Sequence, residues 1–107
     1  HPMSIVPSEA GARDEKDVVV GGPLCESGDI FTQEEGGFVR TQRLPEAKVG
    51  EFLVIECAGA YCFSMSSNYN SKPHAAEVLV RGGEAHLVRA RQSLDDLIRG
   101  ESIPPSG

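Results

Sequence analysis

Paired glycines punctuate this chain at Gly21-Gly22, Gly36-Gly37 and Gly82-Gly83, so no regular element can run far between them. Twelve glycines and seven prolines in 107 residues demand many turns, which favours short strands over long helices. The apolar residues between the breaks are mostly Val, Leu, Ile and Ala, and Trp is absent. Hydrophobic residues make up 39%, an ordinary globular share, so the chain is expected to fold around one modest core.

Residues 3–6 read as a short strand closed by Pro7, and residues 8–16 as a charged surface loop. Val18, Val19 and Val20 follow one another without alternation, which predicts a buried strand over 17–20. Residues 30–33 and 38–42 flank Glu34-Glu35-Gly36-Gly37 as a hairpin, and 44–50 reads as a connection. Phe52, Leu53, Val54 and Ile55 mark the strongest strand, within 51–57. Residues 63–71 fit either a helical turn or an irregular loop. A second hairpin is predicted over 77–80 and 85–88, turning at Gly82-Gly83. Ser93 then opens one short helix: its hydroxyl can cap the amide of Asp96, Leu94, Leu97 and Ile98 line one side, and Gly100 ends it. The fold class is therefore mainly β, an antiparallel barrel- or sandwich-like domain over 1–101 with one C-terminal helix and a flexible tail at 102–107.

The formal net charge is −6, and the arginines at 81, 89, 91 and 99 are interrupted by Glu84, Asp95 and Asp96. No basic face for nucleic acid or an anionic membrane is expected. No apolar run reaches the length of a membrane span. Cys25, Cys57 and Cys62 are odd in number and lack paired metal-ligand spacing, which fits reduced thiols in a cytoplasmic protein without a structural metal. His1-Pro2-Met3 is no ordinary translation start, and the chain is expected to belong to a longer one.

Two segments invite chemistry. In Gly22-Pro23-Leu24-Cys25-Glu26-Ser27-Gly28-Asp29 a thiol and a carboxylate stand side by side just after a strand ends. A thiol can give up a proton, and a neighbouring carboxylate can bind a substrate ammonium. The same string also suits a buried hydrophobic Cys beside a polar turn. In the second segment, Ala58-Gly59-Ala60-Tyr61 precedes a dense run of hydroxyls and amides through Asn70. Tyr61 could present its hydroxyl to a phosphate or a substrate, or pack on a hairpin while Ser and Asn satisfy turn backbone. Lys16, Lys48 and Lys72 lie in charged or solvent-facing stretches, unlike a Schiff-base lysine, which needs a desolvated pocket.

Together, Cys25-Glu26-Ser27-Gly28-Asp29 and Ala58-Gly59-Ala60-Tyr61 with Ser64-Met65-Ser66-Ser67-Asn68-Tyr69-Asn70 resemble the two C-terminal signatures of the diaminopimelate decarboxylases. The resemblance runs from Ile5 to about Glu101. It implies a pyridoxal 5'-phosphate enzyme that converts meso-diaminopimelate to L-lysine, with an N-terminal α/β barrel, absent from this chain, holding most of the cofactor. It further implies that Cys25 returns a proton to the decarboxylated carbon, that Glu26 binds the substrate ammonium, and that Tyr61 contacts both cofactor phosphate and substrate. A homodimer sharing its active sites between subunits is implied too. The piece alone would then be inactive. Ornithine, arginine or carboxynorspermidine decarboxylases of the same fold, or a non-catalytic β-domain that binds a partner, are the alternative readings.

Overall fold

The computed structural model describes residues 1–6 and 11–106. It divides into two compact units, His1–Met65 and Ser66–Gly107.

Among the described residues the first unit holds four strands. Strand β1 (Met3–Val6) pairs antiparallel with β4 (Phe52–Ile55), setting Ile5 opposite Leu53. Strand β2 (Glu15–Val18) pairs antiparallel with β3 (Gln42–Pro45), setting Lys16 opposite Leu44. Strands β1 and β4 were expected where they lie. Strand β2 was not: it starts two residues before the predicted 17–20 segment and ends at Val18, and Val19 is 49% exposed. Residues 44 and 45, read as a connection, instead complete β3. The reason lies across the pair. Lys16 bonds Glu46 at 2.7 Å, and Arg43 lies within 3.6 Å of both Glu15 and Asp17, so charged residues steer a register that apolar content alone does not reveal. The predicted loop over 8–16 falls partly on residues outside those described; its last two residues belong to β2.

Leu44 is the one buried apolar residue among the described residues. Around it, Ile5, Val18, Val20, Pro45 and Leu53 line an apolar hollow of about 350 Å³. Beside the hollow, Arg13 reaches Glu51 at 2.5 Å, and the Glu51 side chain is only 1% exposed. Glu51 also accepts the Lys48 amide at 2.7 Å, which ties the segment ahead of β2 to the β3–β4 turn. The hairpin predicted around Gly36-Gly37 is present in a narrow form. Gln33 bridges Val39, and the Arg40 amide donates to the Thr32 carbonyl at 3.0 Å.

In the second unit, β5 (Glu77–Arg81) and β6 (Glu84–Arg89) form the expected hairpin. Gly82 and Gly83 turn it with φ of +60° and +78°, a left-handed pair that side chains with a Cβ adopt poorly. Val78 faces Leu87 and Val80 faces Ala85, so one side of the hairpin is apolar, yet Val78, Val80 and Leu87 are 53, 69 and 66% exposed. Residues 69–71 make a single 3-10 turn. Gln92 organises the surrounding loop, its side-chain oxygen accepting from Asn68 at 2.7 Å and from the His74 amide at 2.8 Å. The short helix α1 (Leu94–Leu97) begins as predicted, with a reciprocal cap: Asp96 N–H donates to the Ser93 hydroxyl, and Ser93 N–H donates to the Asp96 carboxylate. Among the described residues the fold is mainly β and every strand pair is antiparallel, in three two-stranded sheets.

Candidate functional site

Residues 21–30 leave β2 and return as a closed loop. Its base is an antiparallel bridge between Gly21 and Ile30, continued by the Phe31 amide, which donates to the Val20 carbonyl at 2.8 Å. Thr32, fully buried, accepts the Val20 amide on its hydroxyl oxygen at 3.0 Å. Val20 is part-buried, and an amide shielded there without an acceptor would be costly, so Thr32 holds the foot of the loop.

Cys25 and Glu26 ride at the far end, both exposed. Exposure overturns the alternative in which Cys25 is a buried hydrophobe. The loop beneath them is bonded within itself. The Gly22 amide donates to the Asp29 carbonyl at 2.7 Å, the Asp29 amide to the Glu26 carbonyl at 3.1 Å, and the Ile30 amide to the Gly28 carbonyl at 2.8 Å. The Asp29 carboxylate accepts the Leu24 amide at 2.9 Å. Glu26 accepts the Gly28 amide on Oε1 at 2.9 Å, which leaves its carboxylate at the surface in a defined direction. Gln33 adds a bond from its side-chain amide to the Gly28 carbonyl at 3.0 Å. The apolar hollow stops at Gly21, so the thiol and the Glu26 carboxylate stand outside it.

Tyr61 sits elsewhere, on the turn that follows β4. Its carbonyl accepts the Met65 amide at 3.1 Å, and its side chain is 75% exposed. Tyr61 and Cys57 both have left-handed backbones, with φ of +65° and +55°. Such φ values are costly for side chains of this kind and concentrate at functional positions. Among the described residues no hydrogen bond or ion pair joins Tyr61 to the Cys25–Glu26 loop. The chain thus brings Cys25 and Glu26 together and keeps Tyr61 on a separate support.

Asp29, Gly22 and Thr32 received no role from the sequence. A legible sign did exist for Asp29, an acid five residues past Leu24 in a Gly-rich turn, where carboxylates commonly accept backbone amides. Thr32 carried no such sign, because its burial depends on the chain folding back over it.

Residues 1–59 match the family of the pyridoxal-dependent decarboxylase C-terminal sheet domain. The chain belongs to that family. It is 57% identical over 87 residues to the diaminopimelate decarboxylase of Escherichia coli K12, covering 81% of this chain and 21% of that protein. A crystal structure of a diaminopimelate decarboxylase superposes with a TM-score of 0.86 at 48% identity, over 92% of this chain and 24% of that one. The diaminopimelate decarboxylase of M. jannaschii, solved in co-complex with L-lysine, gives 0.74 at 35% identity, over 86% of this chain and 20% of that one. The chain therefore spans between a fifth and a quarter of the length of these relatives. No helix among the described residues is long and apolar enough to cross a membrane.

Proposed function

We propose that residues 1–101 serve as the C-terminal sheet domain of a diaminopimelate decarboxylase, removing one carboxylate of meso-diaminopimelate to give L-lysine, with 102–107 as a tail. The observation that carries this reading is the exposed thiol–carboxylate pair, Cys25 and Glu26, raised on a loop whose own hydrogen bonds hold it in shape. The family membership supports it, as does the M. jannaschii relative's co-complex with L-lysine, the product of the proposed reaction.

Pyridoxal 5'-phosphate, when bound, supplies an electron-accepting ring for the pair left by the departing carboxylate. The residues of this chain fit a share of that group's needs. Tyr61 offers an exposed phenolic O–H, suited to a phosphate oxygen. No lysine here fits the carbonyl end: Lys16 is exposed and bonded to Glu46, and Lys48 and Lys72 are exposed. The cofactor lysine and most of the cofactor's contacts then come from elsewhere in the longer protein, and the chain by itself turns nothing over.

Cys25 gives the proton from Sγ to the carbon that has lost its carboxylate, and the thiolate regains one from the solvent it faces. Glu26 receives the ammonium at the substrate's far end. The Gly28 amide takes one lone pair of its Oε1, which steadies the carboxylate and leaves Oε2 open for the charge-assisted bond. Tyr61 contacts substrate as well as phosphate. The pair acts in the site of a second subunit, so the working enzyme is a homodimer, and we place it in the cytoplasm, where three free thiols stay reduced. Widely exposed apolar side chains, Phe52 at 72% and Leu87 at 66% among them, support burial of this domain against further protein.

The test is Cys25→Ala in the intact enzyme. We expect kcat to fall at least ~100-fold, the usual worth of a general acid, with the cofactor's visible absorbance retained. Near-normal turnover would remove Cys25 from the mechanism. Turnover of ornithine but not of diaminopimelate would overturn the substrate.

A further inference from the structure

We infer that Asp29 is the positioning residue of the Cys25–Glu26 loop, and that Gly22 is glycine in order to admit its carboxylate. This deepens the proposed function and rests on its reading of Cys25 as the proton donor.

Asp29 grips the loop at three places. Its carboxylate accepts the Leu24 amide, immediately ahead of Cys25. Its own amide donates to the Glu26 carbonyl, immediately after Cys25. Its carbonyl accepts the Gly22 amide at the loop's base. Both peptide neighbours of the thiol are thus pinned to one residue. The thiol itself is exposed, and no hydrogen bond among the described residues involves its Sγ, so backbone placement decides where the sulfur points.

The carboxylate is part-buried in this position and turned into the loop, away from the role of a substrate ligand. A Cβ at residue 22 would collide with both carboxylate oxygens and the carbon that bears them. Any side chain there must evict the brace. Asp29 and Gly22 are therefore one device: the acid holds the loop, and the missing side chain leaves it room. Proton transfer requires donor and acceptor in a narrow geometry, and a displacement of about 1 Å can cost on the order of 100-fold.

The experiment uses the intact enzyme with D29A, D29N, G22A, the double variant D29A/G22A, and C25A as reference. Steady-state kinetics are joined to amide hydrogen exchange at Leu24. D29A and G22A should each lower kcat/KM about 30- to 100-fold. D29N keeps an oxygen acceptor for the Leu24 amide and should stay within about threefold of the parent, with Leu24 exchange unchanged. D29A should exchange Leu24 about tenfold faster. The double variant should be no slower than D29A alone, because the methyl at 22 then has space; such non-additivity marks a direct coupling. Should D29A fail to accumulate as folded protein, G22A displaces the same carboxylate and carries the same expectation.

D29A within threefold of the parent, while C25A is inactive, overturns the inference and leaves the proposed function standing. D29N as slow as D29A, or additive losses in the double variant, overturn it as well. An active C25A sinks the proton-donor reading instead, and the Leu24 exchange rates then decide by themselves whether Asp29 braces the loop.

Discussion

The loop over residues 21–30 and the turn around Tyr61 carry the two parts of the proposed site, and they are held in opposite ways. The loop is bonded at its base, middle and tip, with a fully buried Thr32 beneath it. In the Tyr61 turn the Met65 amide donates to the Tyr61 carbonyl, and the Tyr61 backbone is in a conformation that aromatic residues avoid. The first support is complete within the chain. The second carries a backbone cost, which surrounding structure must hold in place. A proton donor needs its direction set before the substrate arrives, whereas a phenol that meets a phosphate can be fixed by the meeting itself.

The contrast can be broken or sharpened by experiments on the intact enzyme. Cys25→Ala should have the largest effect, at least ~100-fold in kcat, because a general acid is lost outright. Thr32→Val keeps the shape but strands the Val20 amide at the foot of the loop. It should cost about 2 kcal/mol in denaturant unfolding, and no loss would mean that the loop is not anchored there. Tyr61→Phe keeps the strained backbone and deletes only the hydroxyl. It should weaken cofactor retention about tenfold in a dialysis or titration assay, with unchanged stability. Tyr61→Gly also loses the hydroxyl but relieves the backbone, and should raise stability by about 1 kcal/mol over Tyr61→Phe. Equal stabilities for those two variants would deny the strain.

The smallest effect is expected far from the site, at the start of α1. The Ser93 backbone amide, then Arg99 and the Ser93 hydroxyl, hold the Asp96 carboxyl below its ordinary value of 3.8. A carboxyl lowered in this way adds stability that is fully present above 3.8 and disappears as the pH falls through the folded value. The Ser93 amide resonance should therefore stay constant near neutral pH and shift only below about 3.8. A shift centred above that pH would reverse the sign of the coupling.

Several elements were legible from residue order because their causes are local. The Gly82-Gly83 turn sets its hairpin through backbone freedom at two positions, and Ser93 with Asp96 closes a cap across three residues. Strand β4 could be read from four consecutive large apolar residues. Strands β2 and β3 differ from the reading of residue order because their pairing joins segments some 30 positions apart. Leu44 becomes buried, and Lys16, Glu46, Arg43, Glu15 and Asp17 meet, only once the pair has formed. The ion pair of Arg13 and Glu51 has no sign in residue order for the same reason, since nothing near either residue announces a partner 38 positions away.

By itself the sequence determined the mainly antiparallel β class, the turn positions, and the thiol–carboxylate neighbours at 25 and 26. These follow from backbone freedom, side-chain branching and adjacency, which act within a few residues. Only the tertiary structure decided that Cys25 is exposed and that Asp29 reaches back to Leu24 through the space left by Gly22. It alone decided, too, that Thr32 is buried under the loop and that Tyr61 stands on strained backbone. The burial of Thr32 and the exposure of Cys25 follow from how separated segments exclude water and compete for volume. Even the short reach from Asp29 to Leu24 needs the loop closed before the carboxylate meets the gap at Gly22.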